Sequence, residues 1–181
     1  TVVNNFVLAS DECNVKVDEI EQLFKTDAEG IDLNVGGYVD VVEFDYINEA
    51  KSKWPTPFQK ADGTFSERTQ SLPKSPTASN VRQAAIYSKA SNKPVRIIYA
   101  NHKGYMVFDQ TNCELLQPQA LNAAFETMRM SARARQNLLK ISNDPEIISR
   151  YVIPNFSHYV WNNVDEEIIA QVKQIWGYRN G

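Results

Sequence analysis

The stretch GGYVDVVEFDYINEAKSK, residues 36–53, constrains the fold more than any other part of the chain. Two apolar runs flank a few turn-forming residues, so the backbone has to double back on itself there. Side chains alternate along a strand, which puts Glu49 and Lys51 on one face and Ala50 on the other. A turn near Glu43–Tyr46 brings Asp40, on the antiparallel partner, alongside them. Two readings fit this ribbon. One is a solvated hairpin with a cross-strand ion pair, a small stabiliser. The other is a divalent-metal site with a lysine beside it.

The text around the hairpin extends it into a sheet. VKVDEIEQLFKT reads as a strand, DAEG as a turn and IDLNVGGYVDVVEF as a longer strand, followed by YINEAKSK. The result is a three-stranded meander. Gly36 and Gly37 inside the middle strand mark a bulge or a close backbone approach. The first fourteen residues give no firm element.

Residues 54–79 are polar, hold Pro55, Pro57, Pro73 and Pro76, and follow neither a helical nor a strand period. They read as a long mobile loop, a kind of segment often functional. Ser79 is placed to cap a helix running to about residue 91. PVRIIYA and YMVFDQ flank Asn101-His102-Lys103-Gly104 and read as a hairpin with strands at 94–100 and 105–110. A long amphipathic helix follows at about 118–141, with Leu121, Ala124, Phe125, Met128, Ala132, Leu138 and Leu139 recurring at three and four. Asp144-Pro145 opens a short helix to about Val152. FSHYVW reads as a loop or short strand, and Asp165 starts a last helix ending near Trp176-Gly177. The fold class expected is α+β (mixed α/β), a central mixed sheet flanked by helices. A single domain over 1–181 is expected, with a core at 15–110 and a helical part at 111–181.

Bulk properties narrow the function class. No apolar run approaches the roughly 20 residues of a membrane helix. TVVNNFVLAS lacks the basic start of a signal peptide, so a cytoplasmic protein is expected, and a trimmed one, since it begins with Thr1. Cys13 and Cys113 are far apart and form no CxxC, which favours free thiols over a disulfide or a cysteine zinc site. Net charge is −3, but it is distributed unevenly. Residues 1–50 hold two basic and twelve acidic side chains, a balance of −10; residues 51–103 hold ten and two, a balance of +8. Such polarity suits a polyanion on one surface and a cation held by carboxylates on another, or two segments that pair and cancel.

Two carboxylates on adjacent strands suit Mg²⁺ or Mn²⁺, which prefer hard oxygen ligands. The Ala50 carbonyl, between Glu49 and Lys51, is a further candidate ligand. Lys51 beside a hydrated ion is placed to orient water or to stabilise charge developing on a phosphate. Downstream, Gln83 and Tyr87 are four apart on one helix and share a face, with Arg82 and Lys89 off it. Beside a metal hairpin, Gln83 is a candidate to hydrogen-bond the site, and Tyr87 to contact the backbone or stack on a base. Alone, the pair reads as core edge and surface.

D(x8)ExK followed by QxxxY resembles the PD-(D/E)xK nuclease superfamily, and most of all its RecB-like and Cas4-like branch. GGYVDVV matches the first acid, NEAKSK the acid-x-lysine with Ser52 as the small hydroxyl residue after it, and QAAIY the helix. The likeness spans about residues 15–110 and extends to phage exonucleases. It implies a restriction-endonuclease-like sheet and a Mg²⁺- or Mn²⁺-dependent deoxyribonuclease. It implies an exonuclease or an end- and flap-processing enzyme of replication, recombination or repair, in the host cytoplasm if phage-encoded. Asp40 and Glu49 would bind metal, Lys51 would position or activate water, and Gln83 and Tyr87 would support the site. Three departures stand out: the short Asp40-to-Glu49 gap, the long 54–79 insertion, and the absence of any histidine before His102. Either a trimmed segment held that upstream ligand or an acid such as Glu19 or Glu21 replaces it, and Glu21 is the candidate carried forward, against a plain surface charge. The branch's iron–sulfur cysteines are absent, so no cluster is expected.

Candidate contacts to single-stranded DNA or duplex ends are Lys53, Arg68, Arg82, Lys89 and Arg129, with Lys74 in the loop. Arg129 and Arg133 form a rail or a solvated helix face. Trp54 is a stacking platform or a loop anchor. His102 reads as a turn residue or a phosphate contact, His158 as a partly buried structural histidine, and Trp161 and Trp176 as core. The competing readings are a non-catalytic DNA-binding or assembly module that kept the fold, and a small adaptor.

Overall fold

The computed structural model describes residues 1–157 and 159–177. His158 therefore lies outside the described residues. The chain forms two compact units, 1–130 and 131–181.

The first unit is α+β. Its sheet is built from β1 (Glu19–Thr26), β2 (Val35–Val42), β3 (Ile47–Ser52), β6 (Val95–Ala100) and β7 (Tyr105–Phe108), in the order β1-β2-β3-β6-β7. β1–β2–β3 is the expected antiparallel meander, with the turn closed by Glu43 N–H donating to the Tyr46 carbonyl at 2.8 Å. β3 and β6 run parallel, Ile47 opposite Val95 through Ser52 opposite Ala100, so the sheet is mixed. A parallel pair needs a crossover, and the segment between them supplies α2 (Ala78–Ser91). β6, VRIIYA, is buried at all six positions, which is why its text is a continuous apolar run interrupted only by Arg96.

α2 packs Val81, Ala84, Ala85 and Tyr87 onto one face of the sheet, against Val39, Ile47, Val95, Ile97 and Tyr99. Leu121 and Phe125, from the first half of α3 (Pro118–Ile141), close that core. α1 (Val2–Glu12) contacts β6 and β7, burying Val2 and Ala9. Its inner positions 2, 5, 6 and 9 mix valine, asparagine, phenylalanine and alanine, so the helical stripe is faint in the sequence. α2 is capped by Thr77, whose hydroxyl accepts from Asn80 N–H, and not by Ser79, which bonds the Thr77 hydroxyl instead.

Residues 54–79 depart most from expectation. They contain a second, two-stranded sheet, β4 (Thr56–Gln59) with β5 (Phe65–Arg68). Asp62-Gly63 turns the ribbon: Asp62 Oδ1 accepts from Thr64 N–H at 2.9 Å and from its hydroxyl at 2.6 Å, while Gly63 takes φ +82°. The flanking prolines hide this turn signal.

Gly36 is a close approach. A Cβ there would lie 2.2 Å from the Phe24 carbonyl oxygen of β1, a backbone atom that cannot rotate away. Gly36→Ala is expected to force β1 and β2 apart and to cost about 1–3 kcal/mol, read as a lower urea midpoint.

In the second unit, α4 (Pro145–Ile148) and α5 (Glu166–Ile175) are capped by Asp144 and Asp165 as expected, and α4 is shorter than the sequence suggests. Tyr159–Asn163 form a 3₁₀ turn, so the described residues of FSHYVW hold no strand. Trp161 and Trp176 are half-buried rather than core. Their indole N–H groups donate to the carbonyls of Asn155 and Val152. No helix among the described residues is long and apolar enough to cross a membrane.

Candidate active site

The site grows out of an interruption in the sheet. β2 and β3 pair only at Val41–Asn48 and Val42–Ile47. The next pair in that register would set Asp40 opposite Glu49. Instead of a ladder bond, the Asp40 carboxylate takes over: its Oδ2 accepts from Ala50 N–H at 2.7 Å. An extended residue sends its N–H and C=O to the same side of the strand, so the Ala50 carbonyl also faces the β2 side.

Glu49 and Lys51 point to the α2 face, as their spacing requires. Glu49 is 3% exposed. Its Oε1 accepts from Lys51 Nζ in a short charged contact. Lys51 Nζ also donates to Gln83 Oε1 at 2.9 Å, Gln83 Nε2 donates to the Tyr87 hydroxyl at 2.8 Å, and that hydroxyl donates to the Tyr38 carbonyl of β2 at 2.6 Å. One chain of hydrogen bonds thus joins the acid-x-lysine of β3 to the Gln-x-x-x-Tyr of α2 and returns to the strand that carries Asp40. Gly37 makes room for it, because a Cβ there would sit 3.0 Å from the Tyr87 oxygen.

The electrostatics follow from burial. Burial is the main force pushing the Glu49 carboxyl above its ordinary value. Lys51 pulls it back and the Asp40 charge adds to the rise. Burial likewise raises Tyr87, with the Glu49 and Asp40 charges acting in the same direction, so Tyr87 stays a neutral phenol able to donate. Glu49 Oε2 is buried and has no hydrogen-bond partner. Leaving a buried carboxylate oxygen unpaired is costly, and a proton, a water or a cation can offset that cost. The donor set fits Mg²⁺ or Mn²⁺: two hard carboxylates and a carbonyl, with no soft ligand.

Tyr87→Phe is expected to lower stability by about 1–2 kcal/mol, since it leaves the Tyr38 carbonyl and Gln83 without their partner. Thermal unfolding of the two proteins side by side checks this.

Not every candidate arrives here. Glu21 does not join Asp40 and Glu49. Among the described residues no three His, Cys, Asp or Glu side chains gather in metal-binding geometry, and Glu21 is exposed with φ +51°, a left-handed kink that breaks the period-two alternation assumed for it. Arg129 is committed elsewhere: its guanidinium bonds Glu126 and donates to the Glu29 carbonyl at 2.8 Å, pinning the 27–30 turn to α3. Arg82 lines a hollow with Leu115, Ala124 and Thr127, and Lys89 lies over the Phe125 ring, so both lean toward α3 and away from Lys51. Lys53 stays near, its ammonium 5.9 Å from the Tyr99 ring centre. Arg68 sits on the ribbon, over the Phe58 ring.

A second polar cluster was not expected. Buried Glu43 accepts from Arg96 at 2.9 Å, from the Asn48 amide at 2.5 Å and from Lys16 N–H at 3.0 Å, while Arg96 also donates to Asn48. It locks the β2–β3 turn to β6. The lone arginine in PVRIIYA was its legible signal.

No family model matches the chain, and no curated protein matches it. Among solved structures, the crystal structure of SSO0001 is similar over 86% of this chain and 63% of that one, at 14% identity and a TM-score of 0.41. This chain thus spans less than two thirds of that protein's length.

Proposed function

We propose that this chain is a divalent-metal-dependent deoxyribonuclease in which Asp40, Glu49 and the Ala50 carbonyl hold Mg²⁺ or Mn²⁺. The observation that carries the reading is the buried, unpartnered Glu49 Oε2 beside Asp40, with Lys51 occupying the other Glu49 oxygen. Membership of the PD-(D/E)xK superfamily, and action as an exonuclease or end-processing enzyme in the cytoplasm, belong to this proposal and rest on the sequence motifs.

A bound divalent cation would supply charge neutralisation at the scissile phosphate and lower the pKa of nearby water. The chain's own residues do the rest. With both acids ionised, Asp40, Glu49 and Lys51 sum to −1, which repels a phosphodiester. A divalent cation brings the sum to +1, which attracts one. Asp40 keeps one oxygen on Ala50 N–H and so presents the other in a fixed orientation. Lys51 has two of its three protons committed, to Glu49 and Gln83, and offers the third to the attacking water or to a phosphate oxygen. Gln83 and Tyr87 hold that ammonium in place.

A time course on end-labelled single- and double-stranded DNA with Mn²⁺ tests this. Shortened products that vanish with EDTA are expected. Intact DNA at every time point would remove the reading.

A further inference from the structure

The β4–β5 ribbon sorts its side chains in a way its own stability does not require. Alternation about the Thr56–Arg68 and Phe58–Ser66 pairs puts Phe58, Lys60 and Arg68 on one face, together with the hydroxyls of Thr56, Thr64 and Ser66. Lys60 continues the pairing, its N–H donating to the Thr64 carbonyl at 2.8 Å. The ribbon strands' one acid, Glu67, falls on the opposite face with Pro57, Gln59 and Phe65. The Phe58 face therefore carries Lys60, Arg68 and three hydroxyls and no acid from the strands themselves, with the turn acid Asp62, held by the Thr64 hydroxyl, as an anionic neighbour at its tip. At its centre the Arg68 guanidinium carbon lies over the Phe58 ring, 5.1 Å from the ring centre, a cation–π pair.

The ribbon is exposed along almost its whole length, and an isolated two-stranded ribbon is marginal in water. Its root is nevertheless fixed. Lys53 N–H donates to the Ala100 carbonyl at 2.8 Å, the Asn101 amide donates to the Gln70 carbonyl at 2.9 Å, and Thr69 bonds His102 at 2.9 Å. These contacts tie both legs to the end of β6, opposite the end of β3, two residues past Lys51. Aromatic and guanidinium planes receive unpaired bases irrespective of sequence, and cations on the same surface follow the phosphates. A duplex keeps its bases stacked on each other and cannot use such a platform.

We infer that the 56–68 ribbon is a single-strand clamp whose Phe58–Lys60–Arg68 face holds unpaired DNA leading to the Asp40–Glu49–Lys51 site; the strand's destination rests on the nuclease reading, the clamp itself does not. The test is fluorescence anisotropy of the full chain in EDTA, which prevents cleavage, with labelled oligothymidylate and a duplex of equal length. The wild type binds the oligothymidylate more tightly than the duplex. Phe58→Ala weakens the single strand about ten-fold. Lys60→Gln with Arg68→Gln lowers the log–log salt slope by about 1.4, at about 0.7 per phosphate contact. Phe65→Ala, on the opposite face, stays within two-fold of the wild type. An unchanged affinity in both Phe58→Ala and the double variant overturns the clamp, as does an equal loss in Phe65→Ala or a wild type that ignores the oligothymidylate. The two readings fail separately. Cleavage with Mn²⁺ by a protein whose ribbon variants bind normally removes only the clamp. Ribbon-dependent binding without cleavage removes only the nuclease.

Discussion

Lys51→Ala is expected to cut the Mn²⁺-dependent rate of DNA hydrolysis by roughly 10²- to 10³-fold, about 2.7–4 kcal/mol of transition-state stabilisation. The ammonium is held by Glu49 and Gln83 in a largely buried setting, where an oriented charge acts more strongly than in water. Removing it takes away the proton donor nearest the reacting phosphate and leaves Glu49 with its burial and the Asp40 charge unopposed. Some stability should be lost as well, because the carboxylate of the pair is buried and removing its partner leaves that charge uncompensated, so the rates are compared at a temperature where both proteins are folded. Single-turnover cleavage of labelled DNA, with melting curves of both proteins, checks this. A variant that cuts at the wild-type rate would mean that Lys51 has no part in the chemistry.

The second large effect is on metal-linked stability. Folding raises the Glu49 carboxyl above its ordinary 4.5, chiefly by burial. For a carboxyl shifted upward, the stability held by its neutral form is fully present below the ordinary value and is lost as pH rises through the raised one. Without metal, the protein is therefore expected to lose stability on account of this group as pH rises from its ordinary value through the raised one. A cation binds the ionised form and reverses the loss: at one hundred times its dissociation constant Mn²⁺ adds about 2.7 kcal/mol. Protons compete for the same oxygens, so the Mn²⁺-induced rise in Tm should shrink as pH falls through the raised value. Glu49→Gln removes the competing proton and the ligand together, and with them both the Mn²⁺ shift and its pH dependence. Melting curves from pH 5 to 8, with and without Mn²⁺, decide it. A Glu49→Gln protein that still gains several degrees from Mn²⁺ would place the ion elsewhere.

Much of this was legible in the sequence because it depends on short periods. The meander, the 43–46 turn, the hairpin around Asn101–Gly104 and the long helix from Pro118 all follow from alternation or from three-and-four spacing. The convergence of Glu49, Lys51, Gln83 and Tyr87 follows in the same way, since i, i+2 on a strand and i, i+4 on a helix each fix a face. The misses have a common physical origin. Glu21 looked like a ligand because period two was assumed to hold through a residue that in fact takes a left-handed backbone. Arg129 looked free because nothing local reveals the Glu29 carbonyl a hundred residues away. The ribbon at 56–68 was read as a loop because four prolines outweighed a single Asp-Gly turn. Glu43 and Arg96 pair across three strands, a match that exists only once β3 and β6 lie side by side. Local rules carried the elements; non-local pairing had to be seen.

The proposed function turns on one cation held between β2 and β3. Crystals of the chain soaked in Mn²⁺ and measured for anomalous scattering test this most directly. A single strong peak is expected within about 2.0–2.6 Å of an Asp40 carboxylate oxygen and of Glu49 Oε2, the range of oxygen ligation to hard divalent ions. No peak between these two carboxylates, with Mn²⁺ bound elsewhere or not at all, would contradict the assignment.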